Sequence, residues 1–142
     1  MDKSETEAGS DAEVATSEAR LVLVAEDHDD NRMIAASVLR RAGFRVMEAS
    51  RGDEVMRIAK EHHPAVILMD IGMPGLDGWS ATEQIKADPE TAKIIVLIVT
   101  AHSFVGDREI AAKVGSDGYL TKPVSPMQLV GAVEDAIAAA GR

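Results

Sequence analysis

The 142-residue chain contains no cysteine, so it has neither a disulfide framework nor a thiolate-held metal. No apolar run approaches the ~18 residues that a membrane span requires. The opening Met1-Asp2-Lys3-Ser4-Glu5 lacks the basic-then-apolar order of a secretory signal. These absences fit the cytoplasm and speak against a membrane. Clustered Lys and Arg, which a nucleic-acid groove needs, are also missing, and the formal net charge is −9. The nearest approach to a cluster, Arg40-Arg41 with Arg45, fits a helix end and its loop, where cations favour the helix dipole. A nucleic-acid partner is not expected.

A hydrophobic share of 46% is normal for a globular chain, and the length suits one domain with a real core. The charge is uneven. Residues 1–19 hold six acids against one base, whereas residues 20–142 hold 18 acids against 14 bases. The first stretch is rich in Ser, Thr, Ala and Glu, and its only large aliphatic residue is Val14. It cannot bury enough surface to offset the entropy of ordering, so 1–19 is expected to be a disordered acidic tail and 20–142 the folded domain.

From Arg20 onward, strand-like and helix-like segments alternate. Leu21–Ala25 and Ala65–Met69 are uninterrupted apolar runs, the pattern of parallel strands covered on both faces. Phe44–Ala49, Ile94–Val99 and Tyr119–Thr121 read as three more strands. Between them, Ile34, Val38, Leu39 and Ala42 recur at helical spacing, with Gly43 where a helix-ending glycine belongs. Asp29-Asp30-Asn31 offers N-caps for that helix, and Asp77 caps one from Gly78 to about Ala87. Ser103 opens a helix that runs to Gly115, and Ser125-Pro126-Met127-Gln128 combines a capping box with proline at the first helical position. Five strands alternating with five helices call for an α/β fold, a doubly wound parallel sheet with helices on both faces. The strand order is not readable from spacing, although 2-1-3-4-5 is one of the two common arrangements.

In that order the first and third strands are neighbours at the switch point, and Glu26, Asp27 and Asp70 converge on the rim where such sheets bind ligands. Three carboxylates there repel one another. A hard divalent cation such as Mg²⁺ relieves this better than a shared proton does. Thr100 and Lys122 end the fourth and fifth strands on the same rim. A hydroxyl and a fixed cation facing the acids suit a tetrahedral dianion, so the set points to phosphoryl transfer with Asp70 as nucleophile.

Four pieces in order carry a family resemblance: Glu26-Asp27 after an apolar strand; Met69-Asp70-Ile71-Gly72-Met73-Pro74 with Asp77-Gly78; Thr100-Ala101; and Tyr119-Leu120-Thr121-Lys122-Pro123. Across roughly residues 20–140 the sequence resembles a two-component response-regulator receiver domain. That resemblance implies a flavodoxin-like (βα)5 fold of strand order 2-1-3-4-5. It implies that Asp70 accepts a phosphoryl group from a sensor histidine kinase or a histidine phosphotransfer protein, with Mg²⁺ as cofactor. Asp27, Asp70 and the Gly72 carbonyl would ligate the metal, with Glu26 acting through water. Thr100 would hydrogen-bond the acyl phosphate, Lys122 would pair with it, and Tyr119 would swing inward as Thr100 moves. The Lys122-Pro123 peptide would be cis. A face made of the fourth helix, fifth strand and fifth helix would then meet a downstream protein target, and a chain ending soon after its last helix is expected to signal by that contact. The first acid is Glu where the family more often has Asp. Gly72 and His102 occupy places that tune phosphoryl lifetime.

Two rival readings use the same residues: a Mg²⁺-dependent phosphohydrolase, and a receiver-shaped binding module that is never phosphorylated. The first wants a second acid where Gly72 stands. A non-enzymatic regulator is preferred to both. The remaining features have plain explanations. His28, His62, His63 and His102 read as loop or helix-end residues, with only His102 near the rim. Trp79 reads as helix-face packing, the seven Met as core filler, and Asp29, Asp30 and Asp77 as caps.

Overall fold

A computed structural model describes residues 20–101 and 106–141; the tail expected over 1–19 and the positions of His102 and Ser103 lie outside them. The elements run β1 (Leu21–Ala25), α1 (Asp29–Arg41), β2 (Arg45–Ala49), α2 (Gly52–His62) and β3 (Val66–Met69). They continue with α3 (Gly78–Ala87), β4 (Ile95–Thr100), α4 (Asp107–Lys113), β5 (Gly118–Thr121) and α5 (Pro126–Ala139). All strand pairs are parallel, and the sheet order is β2-β1-β3-β4-β5, the doubly wound 2-1-3-4-5 arrangement.

The apolar strands behave as their composition dictates. Every residue of β1 and β3 is buried. Side chains alternate between two cores, as the period of two requires. Leu23, Ala25, Ile67, Met69, Val96 and Ile98 pack with Val55 of α2, Ile85 of α3 and Ala111 of α4. Val22, Val24, Val66, Leu68 and Leu97 pack on the other face with Leu39 of α1 and Leu129, Val133 and Ile137 of α5. Each fully buried aliphatic side chain contributes about 1.5–3 kcal/mol, so the two layers hold the sheet rigid between them.

Register places the site. Ala25 pairs with Ala49 on one side and with Met69 on the other, and Met69 pairs with Ile98. The Asp70 amide donates to the Ala25 carbonyl at 3.0 Å, and the Lys122 amide donates to the Thr100 carbonyl at 2.9 Å. The residues just past the strand ends are therefore fixed side by side on one rim.

Several local expectations hold. Asp77 accepts the Ser80 amide at 3.0 Å, the Ser125–Gln128 capping box is formed, and Gly43 takes a φ of +98° after α1. The Lys122–Pro123 peptide is cis. Trp79 packs against the first core, and Arg40 and Arg41 lie in the last turn of α1.

Others are corrected. The N-cap of α1 is His28, without a side-chain cap bond, and Asp29 and Asp30 fall within the first turn. The physical reason is competition: the Asp29 carboxylate is taken by Arg32 one turn on, at 2.7 Å. The fourth helix begins at Asp107, behind Gly106 with φ +94°, and ends at Lys113. Not all methionines fill the core, since Met33 and Met127 are exposed. Ile34, expected on the inward stripe of α1, is 63% exposed and borders a cleft between α1 and α5.

Candidate functional site

Glu26, Asp27 and His28 follow β1, and Asp70 follows β3 on the adjacent strand. Glu26 and Asp70 are both buried, at 5% and 8% exposure, which is costly for carboxylates without partners. Their partners are specific. One Asp70 oxygen accepts the Gly72 amide at 3.0 Å, and the other lies 3.4 Å from the Lys122 ammonium. Lys122 also donates to Glu26 Oε1, so a single cation bridges the ends of two strands. Burial works against charging Lys122, but the hydrogen bond to Glu26 and the charge of Asp70 outweigh it and raise its pKa.

The loop that carries Asp70 is tied to α3. The Gly78 amide donates to the Ile71 carbonyl at 3.1 Å. A Cβ on Gly78 would meet the Asp70 carbonyl oxygen at 2.6 Å and Ile71 Cα at 2.5 Å. Only glycine permits so close an approach of backbone to backbone.

Thr100 is fully buried at the end of β4, in register with Thr121. Tyr119 is half-buried, packs against the first core, and lies under the Arg108 guanidinium at 4.8 Å from carbon to ring centroid. Asp27 is more open, with 30% of its side chain exposed. A cleft of about 420 Å³ between α1 and α5 opens beside Asp70, Glu26 and Lys122, walled by Ala35, Val124 and Leu129.

Two residues that the motifs did not single out belong here. His28, expected to be a bland loop residue away from the rim, stands on it. Its Nδ1 is 3.1 Å from Glu26 Oε2 and 3.3 Å from Asp27 Oδ1, and its amide also donates to Glu26. The hydrogen bond to Glu26, followed by the charge of Asp27, raises its pKa. Arg32 holds the acidic turn from behind, donating to the Glu26 carbonyl at 3.0 Å, to Asp29, and to Glu48 at 3.3 Å. The available signal for His28 was its place directly after the acid pair.

Ligand atoms of Glu26, Asp27, His28 and Asp70 all lie within 4.8 Å of one another. Three carboxylates and a solvent-open side suit a hard divalent cation that keeps part of its hydration shell. Chemically, the site can place a nucleophilic carboxylate beside a metal and a lysine, on the ligand-binding rim of an α/β sheet.

The comparisons agree with this geometry. Polar-differentiation response regulator DivK of Brucella ovis is 35% identical over 104 residues, covering 73% of this chain and 85% of that protein. Protein PilH of Pseudomonas aeruginosa is 34% identical over 117 residues, covering 82% and 97%. Among solved structures, the receiver domain of sensor histidine kinase PA1611 from Pseudomonas aeruginosa is 32% identical with a TM-score of 0.78, covering 84% of this chain and 98% of that one. That structure holds a magnesium ion coordinated in its active-site cleft. The response regulator receiver domain model matches residues 22–134, and with the acids, lysine and strand order of the rim in place, the chain belongs to that family of two-component signalling proteins.

Proposed function

We propose that Asp70 accepts a phosphoryl group from a phosphohistidine on a sensor histidine kinase or a histidine phosphotransfer protein. An Asp70 oxygen attacks phosphorus, the P–N bond breaks, and the electron pair returns to the imidazole nitrogen, which takes up a proton. Asp27, Asp70 and the Gly72 carbonyl would hold Mg²⁺, with Glu26 acting through water. The ion supplies charge neutralisation for the carboxylates and the incoming phosphoryl oxygens. The carrying observation is the pairing of buried Asp70 with Lys122 at 3.4 Å on the rim of the sheet.

Lys122 balances the charge of about −1.5 to −2 that phosphorylation adds. The Thr100 hydroxyl donates to the phosphoryl group, and Tyr119 moves inward as Thr100 shifts. The new bonds bias the surface of α4, β5 and α5 toward a downstream protein target. The domain is regulatory rather than enzymatic: Gly72 stands where a phosphohydrolase carries its second acid. No helix among the described residues is long and apolar enough to cross a membrane, and a cytoplasmic location is proposed, with the folded unit spanning 20–142.

Incubation with acetyl phosphate, with and without Mg²⁺, followed by intact-mass measurement, tests the proposal. One hydroxylamine-labile phosphoryl adduct is expected, dependent on Mg²⁺ and absent in Asp70→Asn. An adduct that persists in Asp70→Asn, or steady hydrolysis of unrelated phosphate esters, contradicts it.

A further inference from the structure

Arg32 ties together the elements that meet behind the proposed metal site, and it uses a different nitrogen for each. Nη1 donates to the Glu26 carbonyl just past β1 at 3.0 Å, and Nη2 donates to Asp29 in the first turn of α1 at 2.7 Å. Nε donates to Glu48 of β2 at 3.3 Å. The side chain is only 16% exposed although it carries a full charge. Withdrawing a guanidinium from water is costly unless its donors are used, and here each nitrogen has an acceptor.

The bond to Glu26 is the one that reaches the site. It falls on the backbone carbonyl rather than the carboxylate, and that carbonyl shares a rigid peptide plane with the Asp27 amide. On the other side of the residue, the Glu26 amide donates to the Ala49 carbonyl at 3.0 Å. The backbone of Glu26 is thus held at both ends, by β2 directly and by Arg32. The plane that Arg32 fixes is the one through which the chain enters Asp27, so it sets the direction of the Asp27 Cα–Cβ bond. The Asp27 side chain is 30% exposed and is met by His28, itself 71% exposed, so its aim depends on the backbone beneath it.

We infer that Arg32 is a positioning residue for the metal site: by fixing the Glu26–Asp27 peptide plane it aims Asp27 for the octahedral geometry of Mg²⁺, and so favours Mg²⁺ over Ca²⁺. This role rests on the proposed metal site and adds what sets its choice of ion. Mg²⁺ demands near-ideal octahedral angles at about 2.0–2.1 Å, whereas Ca²⁺ accepts variable geometry at about 2.3–2.6 Å. A tilted peptide plane therefore costs Mg²⁺ more than Ca²⁺. Lysine cannot replace the fork, because all its donors sit on one nitrogen while the acceptors lie on separate elements. It does keep the positive charge, so the change it makes at the site is one of geometry.

Calorimetric titrations of Mg²⁺ and Ca²⁺ into the full chain and its Arg32→Lys variant test this. Mg²⁺ affinity is expected to fall about tenfold in the variant, the usual scale for losing a group that orients a metal ligand. Ca²⁺ affinity is expected to stay within about twofold. A second measurement needs no metal: the Asp27 amide resonance, followed by nuclear magnetic resonance, is expected to shift in the variant. Equal losses for the two ions, an unchanged Mg²⁺ affinity, or an Asp27 resonance that stays in place each overturn the role of Arg32 and leave the metal site standing. Failure of the wild-type chain to bind Mg²⁺ overturns both.

Discussion

Lys122 hydrogen-bonds Glu26 across 96 positions of sequence, and in doing so it places a positive charge inside the cluster that has to accept a metal. Ammonium and divalent cation compete for the same carboxylates. Removing the lysine side chain therefore strengthens metal binding. Unit charges ~4 Å apart exchange about 1 kcal/mol even in water, so Lys122→Ala is expected to raise Mg²⁺ affinity by about fivefold or more. Calorimetry measures this directly. A weaker affinity would show that Lys122 organises the acids rather than competing for them.

Gly78→Ala tests how closely α3 is pressed on the phosphoacceptor loop. Alanine favours a helix over glycine by up to about 1 kcal/mol. Here its methyl would strike the Asp70 carbonyl and the Ile71 backbone, neither of which swings aside as a side chain does. Overpacking of this kind costs about 1–3 kcal/mol. The expected result is a lower denaturant midpoint and slower labelling by acetyl phosphate. A rise in the midpoint would mean that the close approach is relieved at no cost.

His28 gives a prediction about pH in the metal-free protein. Its pKa lies above the ordinary 6.5 because Glu26 accepts its hydrogen bond and Asp27 adds its charge. A raised value means that the folded chain binds this proton more tightly than the unfolded chain does. The contact stabilises the fold fully at pH below the unfolded value and ceases to do so as pH rises through the folded value. A ring titration followed by nuclear magnetic resonance should show a midpoint above the ordinary one, falling back toward it in Glu26→Gln. An unchanged midpoint in that variant would assign the shift elsewhere.

Much of this architecture was legible in the order of residues. Leu21–Ala25 and Ala65–Met69 are too apolar for anything but strands covered twice, and each breaks off on an acid. Asp77 and Ser125 cap their helices by accepting the Ser80 and Gln128 amides, as the local sequence pattern announces. Prediction failed where a partner that the pattern does not announce intervened. Asp29 looked like a cap until Arg32 claimed its carboxylate, and Ile34 looked like core until α5 left a cleft in front of it. His28 was passed over because adjacency in sequence does not reveal that a turn folds the ring back onto Glu26. The strand order itself came from the family resemblance, since spacing alone permits more than one.

The five strands are unequally clad. Those in the middle have helices against both sides, while β5 has no fully buried residue and ends on an exposed threonine. The sheet is thus covered in the middle and thinly clad at both borders, β2 with a single buried residue and β5 with none, and Tyr119 and the approach to Lys122 sit on the second. If Asp70 is phosphorylated as proposed, β5 is the border where that event would be read.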